Sequence, residues 1–202
     1  MAVKVALLFL GAVLGFAAGE WQPMFDGKSL QGWKETPFTG RGAVRVEQET
    51  IVLGAGSPLT GVTWQGPFPK SNYEVRFEAE KQKGGDFFAS LTFPVQDSFC
   101  TFVTGGWGGD IIGLSSIDGW DASDNETRNY FTFEPGKWYA FRLLVSDDRI
   151  AAWIDEKPVI NVEIAGRTID LRRGEIKLSA PFGFASYNTT GALRKIEYRP
   201  LK

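Results

Sequence analysis

The chain contains no histidine. That absence removes Ser-His-Asp and Cys-His nucleophile systems, and every His-ligated zinc or iron site. Cysteine is almost as scarce. Cys100 stands alone, so no disulfide can form within the chain, and its neighbours in SFCTFV mark it as a buried structural thiol. Lys and Arg never gather into a stripe. The 22 basic and 24 acidic residues are interspersed with a net charge of −2, which excludes the electrostatic footprint of a nucleic-acid-binding protein. Helical patterning is missing as well: no window carries a sustained i, i+3, i+4, i+7 apolar stripe with caps.

Long hydrophobic runs are confined to the beginning. MAVKVALLFLGAVLGFAAGE places Lys4 ahead of an apolar run, Val5 to Ala18, of 14 residues. That is short for a membrane span. The small residues Ala17, Ala18 and Gly19 follow, so residues 1–19 read as a cleavable signal peptide. The expectation is a secreted or periplasmic protein with no membrane association after cleavage. Residues 20–202 carry no linker and no internal repeat, and read as one domain.

What is abundant is aromatic residues and glycine. Aromatics make up 14% of the chain, with seven Trp and sixteen Phe, and Gly occurs 24 times. Together they favour strands and tight turns. Period-two alternation dominates. In Tyr73–Glu80 the apolar Tyr73, Val75, Phe77 and Ala79 alternate with Glu74, Arg76, Glu78 and Glu80. Trp138–Ser146 alternates in the same way, whereas Phe87–Phe93 reads as buried on both sides. Arg149–Asp155 and Val159–Ile164 flank a hairpin loop at Glu156-Lys157-Pro158. Val44–Leu53, Glu175–Ser179, Gly183–Tyr187 and Ala192–Arg199 complete roughly ten strands. The fold class is all-β, a sandwich or barrel.

One stretch breaks the alternation. Thr104–Asn129, TGGWGGDIIGLSSIDGWDASDNETRN, holds five glycines before Ser115, two tryptophans and five acidic residues. Long loops of this kind on β scaffolds are where binding resides. Trp107 and Trp120 in it are candidates to stack on the C–H faces of a sugar ring. Its Asp/Asn cluster at 118–129 is also a candidate for a structural Ca²⁺, although the spacing does not match an EF-hand.

Several segments, in order, resemble the 3-keto-disaccharide hydrolase family, a relative of family 16 glycoside hydrolases and concanavalin A-like lectins. Met24–Trp33, MFDGKSLQGW, resembles its opening LFDGKSLxGW. Asn72–Glu78, NYEVRFE, resembles its DFELRxEF strand, and Gly136–Tyr139, GKWY, its GEWN. Ile150–Val159 resembles its ITVWLNGxxV hairpin. The close, from Gly183-Phe184 through Leu193–Ile196 to Pro200-Leu201, resembles GLQ…FRNIRIxxL. The resemblance implies a concanavalin A-like jelly-roll sandwich of two antiparallel sheets with a carbohydrate cleft. It also implies cleavage of glycosides whose sugar is oxidised at C3. Three segments depart from the pattern. Ile111–Asp118 keeps mainly the Asp of the family's YEVQILD. Gly85–Leu91 lacks the Arg of the family's NSGIxxR, and the family's late His falls at Tyr187. The scaffold strands therefore match more fully than the cleft.

Without histidine, acid/base work falls to carboxylates, Tyr or Lys. A 3-keto sugar needs little: a carboxylate removes the acidified C2 proton and the C1 substituent leaves by elimination. The candidates are Asp118 as general base, and Asp86 and Asp110 as second carboxylates. Arg128 would stabilise the developing enolate, and Tyr187 would contact the sugar. Each Asp also has a plain reading as a turn residue beside glycine. Two further functions stay open: a non-catalytic lectin-like binding module, and a structural surface domain.

Overall fold

The computed structural model describes residues 19–201. The signal-peptide reading of residues 1–19 falls almost wholly outside them. Fifteen strands form two antiparallel sheets, and one short 3₁₀ helix, Glu175–Ser179, is the only helical element among the described residues. No helix there is long and apolar enough to cross a membrane.

The first sheet contains β1 (Gln22–Pro23), β3 (Val44–Glu47), β4 (Thr50–Leu53), β6 (Tyr73–Lys83), β11 (Trp138–Val145), β12 (Arg149–Ile154), β13 (Lys157–Glu163) and β15 (Thr190–Pro200). Its order is β13-β12-β11-β6-β15-β4-β3, with β1 paired to β15. The second contains β2 (Trp33–Glu35), β5 (Leu59–Trp64), β7 (Ser90–Val95), β8 (Ser98–Gly106), β9 (Ile111–Ser115), β10 (Asn129–Tyr130) and β14 (Gly183–Tyr187). Its order is β10-β9-β8-β7-β14-β5-β2. The expected jelly-roll sandwich is the fold observed.

Alternation decides which side chains meet between the sheets. Tyr73, Val75, Phe77 and Ala79 of β6 face Leu91 and Phe93 of β7, Phe102 of β8 and Phe184 of β14 in one continuous core. Phe77 and Phe141 stack with ring centroids 4.9 Å apart, and Phe88, Phe102 and Phe133 pack edge-on or offset around Phe141. Trp33 is buried too, and its indole N–H donates to the Met24 carbonyl at 2.7 Å. Cys100 is fully buried, and burial pushes its thiol up to about 12, as an inert structural thiol requires.

Four sequence expectations need correction. Val44–Leu53 is a hairpin rather than one strand. Gln48 and Glu49 both take positive φ, 48° and 59°, a two-residue turn that matches strand twist without glycine. The hairpin between β12 and β13 likewise turns at Asp155 and Glu156, with φ of 48° and 62°, one residue earlier than expected. Glu175–Ser179 alternates like a strand but forms the 3₁₀ helix. Thr104–Asn129 is not one loop: it holds the end of β8 and all of β9, and Ile112, Leu114, Ile117 and Ala122 are fully buried.

The outward face of the first sheet is covered by charge pairs and aromatics. Glu74, nearly buried, accepts from Arg142 at 3.0 Å and from Arg199 at 2.6 Å. Glu78 pairs with Arg194 and Lys195, each at 2.7 Å. Arg76 pairs with Glu197 at 2.5 Å. All four of these guanidinium groups also lie over indole rings: Arg142 on Trp153 at 3.6 Å, Arg194 on Trp138 at 4.0 Å, and Arg76 and Arg199 on Trp21 at 4.2 and 4.4 Å.

Candidate functional site

The second sheet's outward face is different. There β7 turns Ser90 and Thr92 away from the core, β8 turns Thr101 and Val103, and β9 turns Ser115. Of these, Ser90, Thr101, Val103 and Ser115 floor a cleft of about 460 Å³, and Thr92 is fully buried beside Thr101. Its walls come from Leu59 of β5, Tyr187 of β14, the loop at Asp86-Phe87, the hairpin tip at Gly106-Trp107, and the segment Arg172–Ile176 that crosses above the sheet. A small apolar cluster, Phe38, Leu59 and Ala185 with Phe87 and Ile176 against it, supports that side.

The floor hydroxyls have structural bonds of their own. Thr92 and Thr101 share a hydrogen bond of 3.0 Å, Ser115 Oγ accepts from the Ala122 N–H at 3.0 Å, and Ser90 Oγ accepts from the Thr104 N–H at 3.1 Å. A hydroxyl is one donor and a two-fold acceptor, so each keeps capacity for a ligand.

Trp107 stands at the tip between β8 and β9, where four residues of the turn take positive φ. Gly105, Trp107, Gly108 and Gly109 have φ of 88°, 51°, 99° and 110°. Gly109 must lack a side chain: a Cβ there would meet the Gly85 carbonyl at 2.9 Å. Asp86 ties these two glycine loops together. Its carboxylate accepts from its neighbour Phe87 N–H at 2.8 Å and from Gly108 N–H at 3.3 Å. Trp107 remains 39% exposed, with the Arg172 guanidinium 5.3 Å from its ring centre. Tyr187, 37% exposed, leans on Phe87 with centroids 5.6 Å apart.

Of the residues singled out from the sequence, Asp86, Trp107 and Tyr187 come together at this cleft. Asp110, Asp118, Trp120 and Arg128 do not line it. Asp118 lies on the turn that pairs with residues 167–170. It accepts from the Thr168 N–H at 2.7 Å and from Arg167 at 2.6 Å, and these bonds hold its carboxyl below the usual aspartate range. Asp110 is exposed, and its backbone carbonyl receives the Phe131 N–H. Trp120 is 63% exposed on the Ile117–Trp120 turn. Arg128 donates to the Ser123 carbonyl at 2.9 Å.

In the segment considered for calcium, the acidic groups meet arginines: Asp121 pairs with Arg172 at 3.3 Å and Glu126 with Arg167 at 2.6 Å. The Asn125 amide donates to the Leu114 and Trp120 carbonyls. Among the described residues no three His, Cys, Asp or Glu side chains gather as a metal cluster.

Sequence reasoning missed Glu175 and Ile176, because Glu175–Ser179 read as a strand, and Arg172 and Arg173, which precede it and carry no motif. It also passed over Ser90, Thr101 and Ser115. The signal for these was present: hydroxyls sit at alternate positions of strands whose other positions are Leu91, Phe93, Phe102 and Leu114.

A family model described as the 3-keto-alpha-glucoside-1,2-lyase-like domain matches residues 20–199. The chain belongs to that family. The fold described above recurs in solved structures of low sequence identity. A Crh5 transglycosylase in complex with NAG is 10% identical, with a TM-score of 0.60, covering 93% of this chain and 86% of that one. The carbohydrate-binding module CBM66 from Bacillus subtilis is 13% identical, with a TM-score of 0.52, covering 82% and 93%. Domain 4 of the extracellular arabinanase AbnA from Geobacillus stearothermophilus, in complex with arabinotriose, is 12% identical, with a TM-score of 0.52, covering 84% and 82%. No curated sequence matches the chain.

Proposed function

We propose that the cleft binds a sugar ring and that this chain is an exported carbohydrate-binding domain on a lyase-like scaffold. One observation carries the reading. The cleft offers two half-exposed aromatics, Trp107 and Tyr187, beside a floor of hydroxyls, while the carboxylates that line it already have protein partners. Asp86 is held by two backbone N–H groups, and Glu175 accepts from the Thr39 hydroxyl at 2.6 Å and from its N–H. Hydrolysis by paired carboxylates needs one group free as acid and the other as base or nucleophile. An aromatic platform with hydroxyls around it suits the apolar faces and polar edges of a pyranose. Family membership and carbohydrate-binding neighbours on the same fold support the same ligand class. Export rests on the signal-peptide pattern of residues 1–19.

A second reading is favoured by Asp86 and two arginines sharing the cleft. With a 3-keto-glycoside bound, the Asp86 carboxylate would take the C2 proton, leaving an enolate on the C3 oxygen beside a guanidinium. Collapse of the enolate would restore the ketone, form the C1–C2 double bond and expel the C1 oxygen, which takes up a proton. Incubation with a 3-keto-disaccharide and calorimetric titration with its unoxidised parent separate the two readings. Binding without released sugar supports the binding domain. Sugar release that Asp86→Asn abolishes supports the lyase. Absence of binding to either sugar overturns both.

A further inference from the structure

The charged residues of the cleft are unequally engaged. Asp86, Arg172, Arg173 and Glu175 all line it. Asp86 accepts two backbone N–H groups, Glu175 is bound to Thr39, and Arg172 is paired with Asp121 and lies over Trp107. Arg173 has no ion-pair or side-chain hydrogen-bond partner among the described residues, and it is exposed at the rim. The backbone on either side of it is nevertheless anchored. The residue before it is anchored to Asp121, the chain turns at Gly174 with φ of 117°, and Glu175 beyond is anchored to Thr39. A guanidinium that lines a partly apolar cleft, with no carboxylate of its own, is available to pair with an anion bound there.

We propose that the glycan bound here carries an acidic group, a carboxylate or a sulfate ester, that pairs with Arg173. This rests on the sugar-binding reading of the same cleft and adds the class of sugar. The planar fork of arginine matches both groups with two parallel N–H···O bonds, and charge-assisted bonds of this kind are about twice as strong as neutral ones. The hydroxyl floor and Trp107 would take the ring, while Arg173 would select its substituent.

The test is calorimetric titration of the whole chain with three matched disaccharides: cellobiose, cellobiouronic acid and 6-O-sulfated cellobiose. The proposal expects at least one acidic member to bind about tenfold more tightly than cellobiose, the worth of one charge-assisted hydrogen bond. That ratio should fall to about one in Arg173→Gln, recover in part in Arg173→Lys, and shrink with added salt. Comparison of the carboxylate and sulfate arms identifies the anion. Equal affinity for acidic and neutral members in the native chain overturns the proposal and leaves the sugar-binding reading standing, as does a preference that survives unchanged in Arg173→Gln. Failure of all three sugars to bind overturns both. A matching melting temperature verifies that Arg173→Gln is folded.

Discussion

The two outward faces of the sandwich are made by the same alternation and end in opposite states. On the first sheet, Glu74, Arg76 and Glu78 of β6 meet Arg142 of β11 and Arg194, Glu197 and Arg199 of β15. Opposite charges satisfy one another there, and indoles lie beneath the guanidiniums. On the second sheet the outward residues are short: Ser90, Thr92, Thr101, Val103 and Ser115. Even where two of them bond across strands, as Thr92 and Thr101 do, they rise far less above the sheet than Arg and Glu, so the face stays hollow where the neighbouring loops rise around it. Long paired side chains leave a smaller recess of about 280 Å³ beside Trp21 and Trp153, and short hydroxylated ones leave the larger cleft.

The contrast can be broken from either side. The largest effect is expected at Phe38, which is 1% exposed beneath the cleft wall with Leu59 and Ala185. Phe38→Ala should cost about 3–5 kcal/mol in denaturant unfolding and weaken sugar binding as well, because the wall at Leu59 and Ile176 loses its support. Glu74→Gln should come next. It leaves Arg142 and Arg199 facing each other without their shared carboxylate, at a cost of about 3 kcal/mol. Here the sugar affinity should stay within twofold, since the damage is on the opposite face.

Asp118→Asn should have the smallest effect. The folded carboxyl lies below its ordinary value because it accepts from Thr168 and Arg167. A lowered carboxylate adds stability above the unfolded aspartate value, about 3.9, and loses it as pH falls through the folded value. The native chain should therefore melt higher than Asp118→Asn at neutral pH, and the two curves should converge in acid. Sugar affinity should not change.

Much of this was legible from the residues. Tyr73–Glu80 announced a strand with one wet face, and both its core positions and its charged positions fall where the alternation puts them. The site was only partly legible. Trp107 could be found, because a tryptophan among glycines has no evident packing role. Asp118 and Asp110 could not be told from Asp86 by sequence, since all three adjoin glycine. Only the tertiary pairing of residues 117–118 with 168–170 shows that Asp118 is tied to Arg167 rather than facing the cleft. Arg172 and Arg173 carry no motif, and Glu175 and Ile176 beyond them were hidden by the alternation of Glu-Ile-Lys-Leu-Ser. That pattern fits a strand, but it forms a 3₁₀ turn where the chain must cross the sheet.

The central claim is that ligand enters on the hydroxyl-floored face and not on the charge-laddered one. The most direct measurement is a pair of sugar titrations on Trp107→Ala and Trp153→Phe, each compared with the native chain. Loss of a stacking indole costs about tenfold in affinity. The account expects that loss in Trp107→Ala and native affinity in Trp153→Phe. Native affinity in Trp107→Ala with loss in Trp153→Phe would place the ligand on the other sheet and contradict it.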